Sequence, residues 1–210
     1  MSKTPQKDTR AHCERCLRPA SVCLCHLICK INNDIKVTIY RHPSETNKAV
    51  GTASLAHLCL ENSSIIDTEV VKQVTHAQET LQVLVFPPLE AEATSSIVLN
   101  TSALAALLND RPIELIFLDG TWKKARKMYY LSPDLHQLPK LNLDLSGITA
   151  HYTIRKAEKS GQLSTLEAIA AALSQCEQNT EKYLPLLTLQ QGMVDQQLAA
   201  MDKKVRLRYE

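Results

Sequence analysis

The sequence has no run approaching about 18 consecutive apolar residues, the length a helix needs to cross a bilayer, so a membrane-spanning helix is excluded. Its first ten residues, MSKTPQKDTR, contain no apolar segment; we expect no secretory signal there, a disordered tail over 1–10, and a cytoplasmic protein. No internal repeat and no low-complexity tract appears, which excludes a solenoid or a biased linker. Net charge is scarce too: 24 Lys and Arg against 22 Asp and Glu leave only +2. What is present is 210 residues with 44% apolar and 22% charged side chains, enough for one well-buried domain plus a small appendage.

The small net charge hides segregation along the chain. Residues 1–50 carry nine basic against four acidic side chains, 51–120 carry two against nine, and 121–160 carry eight against three. Segregated charge usually just solvates a surface. If the two basic segments meet in space, they instead form a patch suited to a polyanion.

Five of the seven cysteines, Cys13, Cys16, Cys23, Cys25 and Cys29, fall within 17 residues. In a reducing compartment such a cluster reads as metal ligands rather than disulfides. Cys13-x2-Cys16 and Cys23-x-Cys25 form two close pairs, and four thiolates at about 2.3 Å satisfy zinc completely. With no open coordination position the metal is structural. Cys29, His12 and His26 are nearby competitors for a ligand position. Residues 11–30 hold too few apolar side chains for a core of their own, so we read a small four-cysteine zinc unit there and the main domain over 31–210.

Beyond it, strand and helix signals alternate. Asp34–Tyr40 has period-two spacing and ends at Arg41-His42-Pro43, and Ala49–Leu60 reads as a helix. Ser64–Ile66 is a weak strand, Leu81–Phe86 a better one stopped by Pro87-Pro88, and Ile113–Leu118 the best. Such apolar runs suit strands buried on both faces of a parallel sheet, which makes the fold α/β. Thr121–Leu131 reads as a basic helix; Leu141–Leu145 and Tyr152–Arg155 read as short strands. A helix opens near Gly161, where Ser164 and Glu167 have capping-box spacing, and a long one covers about Glu181–Met201.

Asp119 falls just past the carboxyl end of the best strand and before a helix, where α/β sheets place chemistry. A carboxylate there serves as a helix cap or as a general base, and position alone leaves both open. Lys123, Lys124, Arg126 and Lys127 cover the outside of the helix that follows.

The string Asp119-Gly120-Thr121-Trp122 resembles the motif that names the DTW-domain family. Three further pieces stand in that family's order: the Cys13/Cys16/Cys23/Cys25 cluster with Arg15, Arg18 and Pro19; His42-Pro43-x-Glu45 with Gly51-Thr52-Ala53; and Tyr152-x-x-Arg155-Lys156 followed by Leu163–Ala168. Two places depart from the pattern: an Asn-Thr start is usual where Gly51-Thr52 stands, and a proline often follows the position of Lys156. The resemblance implies a tRNA-uridine aminocarboxypropyltransferase with a SPOUT-like, mostly parallel α/β sheet flanked by helices, of the kind that can be knotted. It implies S-adenosylmethionine as co-substrate, N3 of a tRNA uridine as acceptor and Asp119 as the base or a positioning group. Thr52, Leu118, Leu143, Ser164 and Thr165 become cofactor-binding candidates. Lys123, Lys124, Arg126, Lys127, Arg155 and Lys156 become the RNA-facing set, with tRNA and neither DNA nor membrane as partner; the oligomeric state is left open. Two other readings use the same residues: a SPOUT-type RNA methyltransferase, and a non-catalytic zinc-containing RNA-binding module.

Overall fold

The structure is a computed structural model that describes residues 11–46, 51–72, 79–87, 98–107, 111–144 and 163–202. Six strands build one sheet: β1 (Lys36–Arg41), β2 (Ser63–Asp67), β3 (Leu81–Leu84), β4 (Val98–Asn100), β5 (Ile113–Asp119) and β6 (Lys140–Asn142). All pair in parallel, in the order β2-β1-β5-β3-β6-β4. The apolar run of β5 lies near the centre, as a strand buried on both faces must.

Parallel strands need crossover connections, and helices flank both faces of the sheet. On one face, α1 (Thr52–Cys59), α2 (Thr101–Leu107), α5 (Thr165–Cys176) and α6 (Thr180–Ala199) cover Val37, Ile39, Leu115 and Phe117. On the other, α3 (Trp122–Tyr130) and the single turn α4 (Pro133–His136) cover Tyr40, Leu84 and Ile116. Alternation along β5 therefore sends Phe117 and Asp119 toward α5 and Leu118 toward α3.

Sequence and structure differ in detail. Strand β3 ends at Leu84, two residues before Phe86, because Pro87 follows and its ring nitrogen has no hydrogen to donate. Strand β4 carries no sequence signal, since three residues are too few to show a period, and sequence reasoning did not single out helix α2. Helix α2 does follow a readable start, with the Asn100 side chain accepting from Ala103 N at 2.7 Å. The strand expected over Tyr152–Arg155 lies outside the described residues, as does 1–10.

The Cys-rich segment packs on this domain. Leu24 is fully buried in the main core, and Leu27 and Ile28 pack against it. Gly192 on α6 faces Leu27 so closely that a Cβ there would stand 2.3 Å from Leu27 Cδ1. No helix among the described residues is long and apolar enough to cross a membrane.

Candidate functional site

Strands β5, β3 and β6 end together, and their carboxyl ends line a cavity of about 300 Å³. Val85, Phe86 and Pro87 follow β3; Leu118 and Gly120 close β5; Asn142 and Leu143 close β6. Trp122 and Ala125 of α3 and Ser164, Thr165 and Ala168 at the start of α5 complete the wall. A largely apolar cavity with a few polar groups at a helix start, above the carboxyl edge of a parallel sheet, is where α/β folds hold small ligands. A side chain at Gly120 would be crowded: an added Cβ would lie 3.2 Å from Lys124 Cβ, tighter than an ordinary contact, and 3.6 Å from His42 Cβ.

Asp119, only 7% exposed, stands in the chain between Leu118 and Gly120, which line this cavity, and is not itself part of the wall. Thr165 Oγ1 donates to its Oδ1 at 2.6 Å, and His42 N donates to its backbone oxygen at 2.9 Å. One carboxylate thus joins the end of β5 to the first residue of α5. The start of α5 is itself fixed by a full capping box. Glu167 N donates to Ser164 Oγ at 3.2 Å, Ser164 N donates to Glu167 Oε2 at 2.7 Å, and Ser164 Oγ donates to Gln190 Oε1 on α6 at 2.8 Å. Thr121, rather than Asp119, caps α3, accepting from Lys124 N at 3.4 Å. Asp119 is therefore not the cap of the helix that follows it, and its carboxylate turns to the opposite face of the sheet.

The structure gathers Leu118, Leu143, Ser164 and Thr165 around one cavity, and Asp119 reaches it through its bond to Thr165. It does not bring Thr52 there: Thr52 is the buried first residue of α1, and its neighbours Gly51 and Ser54 line a different cavity. Arg155 and Lys156 lie outside the described residues. Of the basic residues on α3, Lys123, Arg126 and Lys127 are exposed and Lys124 is half-buried. Two are engaged by protein carboxylates: Lys124 Nζ contacts Glu45 at 2.7 Å and Ser44 Oγ at 2.6 Å, and Lys127 Nζ contacts Glu69 at 2.5 Å. The His42 ring finishes a turn, its Nδ1 accepting from Ser44 N at 3.2 Å, while its Nε2 stands 3.6 Å from Glu69. Sequence reasoning passed over Phe86, because its strand signal stops at the two prolines, and Arg41, whose partners are distant in the chain.

Arg41 is buried at the end of β1, in register with Asp67 on β2 and Asp119 on β5. Its Nε and Nη2 donate to the two Asp67 oxygens at 2.6 and 3.0 Å, and its Nη1 donates to Ser54 at 2.6 Å. The guanidinium holds the Asp67 carboxyl below its ordinary range.

Cys13, Cys16, Cys23 and Cys25 converge, with all four Sγ atoms within 4.8 Å of one another. Cys13 and Cys25 stand 3.5 Å apart, and Cys16 and Cys23 3.8 Å. Four thiolates at about 2.3 Å around a tetrahedral ion lie about 3.8 Å from one another. The donor set and its spacing therefore fit a metal ion. Backbone N–H groups of Cys16 and Arg15 lower the Cys13 thiol to about 6, while burial pushes Cys25 up to about 12. Cys29 is exposed, and neither it nor His12 or His26 joins the cluster.

Helices on both faces of a six-stranded parallel sheet, with a cavity at its carboxyl edge, define an α/β protein. The DTW domain matches residues 10–198, nearly the whole chain, and the chain belongs to the DTW-domain family. It is 31% identical over 180 residues to tRNA-uridine aminocarboxypropyltransferase 2 of Drosophila melanogaster, covering 83% of this chain and 70% of that one. It is 29% identical over 199 residues to the protein of that name from Macaca fascicularis, covering 90% and 64%. The mouse (Mus musculus) protein of that name is 28% identical over 182 residues, covering 82% and 58%. The chain thus spans less than two thirds of the two mammalian relatives. No solved structure matches it.

Proposed function

We propose that this protein transfers the 3-amino-3-carboxypropyl group of S-adenosylmethionine to N3 of a uridine in tRNA, releasing methylthioadenosine. The observation that carries the reading is Asp119, tied to Thr165 at the edge of an apolar cavity in a DTW-domain chain. The relatives' names supply the reaction class, and the resemblance supplies the SPOUT-like reading of the sheet.

Three carbons sit on the sulfonium of S-adenosylmethionine, and positioning selects among them. The γ-carbon must stand in line with uridine N3, about 3–3.5 Å away, with the methyl turned aside. An apolar cavity suits the adenosyl and methyl groups, and Ser164 and Thr165 at the start of α5 offer polar groups and a favourable dipole for the amino-acid carboxylate. Uridine N3 carries a proton and attacks poorly until a base removes it. Asp119 takes that proton as the N3–Cγ bond forms, the Cγ–S bond breaks, and its electron pair returns to sulfur. Charge balances: sulfonium and carboxylate become a neutral thioether and a carboxylic acid.

Zinc fits the Cys13/Cys16/Cys23/Cys25 set; four thiolates would close its coordination, so it would hold the N-terminal segment and take no part in transfer. The reading places the protein in the cytoplasm, with RNA as its macromolecular partner. The test is to incubate it with S-adenosylmethionine and tRNA lacking the modification, then identify the released small molecule by mass spectrometry. Methylthioadenosine appearing only with tRNA is the expected result. S-adenosylhomocysteine would mean methyl transfer, and neither product from folded, zinc-loaded protein would favour a binding module.

A further inference from the structure

A second cavity, of about 480 Å³, opens between the Cys-rich segment, the end of β1 and the start of α1. That volume is within the roughly 300–1,000 Å³ of ligand sites. Among the described residues its wall contains Arg15, Arg18, Arg41, His12 and His57 and no Asp or Glu. Asp67 neutralises Arg41 from outside the wall, and the remaining lining is still cationic. Hydroxyls of Thr46 and Ser54 and the start of α1 at Gly51, which has no side-chain cap, add donors of the same polarity. Leu17, Leu55, Leu58 and Ile65 add apolar surface to the same wall. A wall that combines cationic and apolar groups matches a nucleotide, whose phosphate uses the first and whose base uses the second.

Leu17 singles this cavity out. It is 72% exposed, at φ 56°, a left-handed conformation that a non-glycine residue adopts only with strain. Leu17 N donates to Cys13 O at 2.8 Å, so the turn itself is satisfied by backbone alone. A glycine would make that turn without strain. A leucine here gains no burial from the fold, and its side chain stands at the cavity instead.

The place of the cavity gives its role. Arg41 is the in-register neighbour of Asp119 on the adjacent strand, and His42 is hydrogen-bonded to the Asp119 backbone. Adjacent strands lie about 4.8 Å apart, so the two cavities flank Asp119 along one edge of the sheet. Resting on the proposed reaction, we propose that this second cavity holds a nucleotide of the tRNA strand close to the reacting uridine, its phosphate toward Arg15 and its base against Leu17.

The experiment compares full-length wild type, Arg15→Glu and Leu17→Gly. It measures binding of an unmodified tRNA transcript by fluorescence anisotropy at several salt concentrations and S-adenosylmethionine binding by calorimetry. Zinc content and melting temperature report folding. Both substituted side chains are exposed, and glycine suits the backbone at 17. Arg15→Glu is expected to weaken tRNA binding tenfold or more and to lower the salt slope by about 1. Leu17→Gly is expected to weaken tRNA binding severalfold with no change in salt slope and no loss of melting temperature. S-adenosylmethionine binding stays unchanged in both. Variants that bind tRNA as the wild type does, while the wild type modifies it, overturn this assignment alone. A wild type that binds no tRNA overturns the proposed reaction with it. Uridine 5′-monophosphate binding as tightly as tRNA and lost in Arg15→Glu would assign the cavity to a free nucleotide and overturn the strand.

Discussion

Asp119 is the residue on which the proposed chemistry turns, and one substitution distinguishes a chemical role from a structural one. Removing its charge while keeping its shape tests that. We expect Asp119→Asn to lower turnover by about 10²–10⁴-fold, the usual worth of a general base, with S-adenosylmethionine affinity and melting temperature nearly unchanged. A cap role would predict the reverse, stability lost and turnover kept. Thr121 and Ser164 already cap the two adjacent helices, which argues for the first outcome. The sequence placed Asp119 at the right edge of the sheet, because an apolar strand ending in Asp-Gly is a local signal. It left the choice between cap and base open, because the face to which a side chain turns depends on which helix covers that face.

Helix α5 shows how much one element's start decides. Ser164 caps the helix, bonds Gln190 across to α6 and lines the cavity. Ser164→Ala is expected to cost about 1–2 kcal/mol in chemical denaturation and to raise the Kd for S-adenosylmethionine. The cap was legible because Ser164 and Glu167 are three residues apart; the bond to Gln190, 26 residues on, was not. Helix α3 teaches the complementary point. Four basic side chains read alike in sequence, yet Lys124 and Lys127 are held by Glu45 and Glu69, which come from elsewhere in the chain. Lys123→Ala with Arg126→Ala should therefore lower the salt dependence of tRNA binding by up to about two phosphate contacts, measured as the slope of log K against log salt. An unchanged slope would remove that face of α3 from the interface.

For the whole molecule, the polar ties between strands set the response to acid. Glu114 on β5 accepts from Thr38 on β1 at 2.5 Å and Gln82 on β3 at 2.7 Å, with Lys36 at 3.0 Å. Burial raises its carboxyl, but these bonds outweigh it and hold it below 4.5, as Arg41 holds Asp67 below 3.8. A depressed folded value stabilises above the unfolded one and loses that stabilisation as pH falls through the folded value. Melting temperature should therefore be flat from neutral pH to about 5 and fall below about 4.5, and Glu114→Gln should flatten that fall. The cysteine unit is coupled to the same core through Leu24 and Leu27. Chelating its metal, or Cys13→Ser, is expected to lower the cooperative melting temperature of the whole chain rather than turnover alone; full stability of metal-free protein would refute a structural metal.

The sequence by itself determined the alternation of strand and helix, the paired cysteines, the cap at Ser164 and the place of Asp119. Each of those signals is carried by residues within a few positions of one another, where periodicity, capping and chelation act. Only the tertiary structure decided the strand order that seats β5 between β1 and β3, the Thr165–Asp119 bond, the exclusion of Thr52 from the first cavity, and the meeting of Arg15, Arg41 and Leu17 around the second. Those depend on contacts between residues tens of positions apart, and the packing of faces sets them.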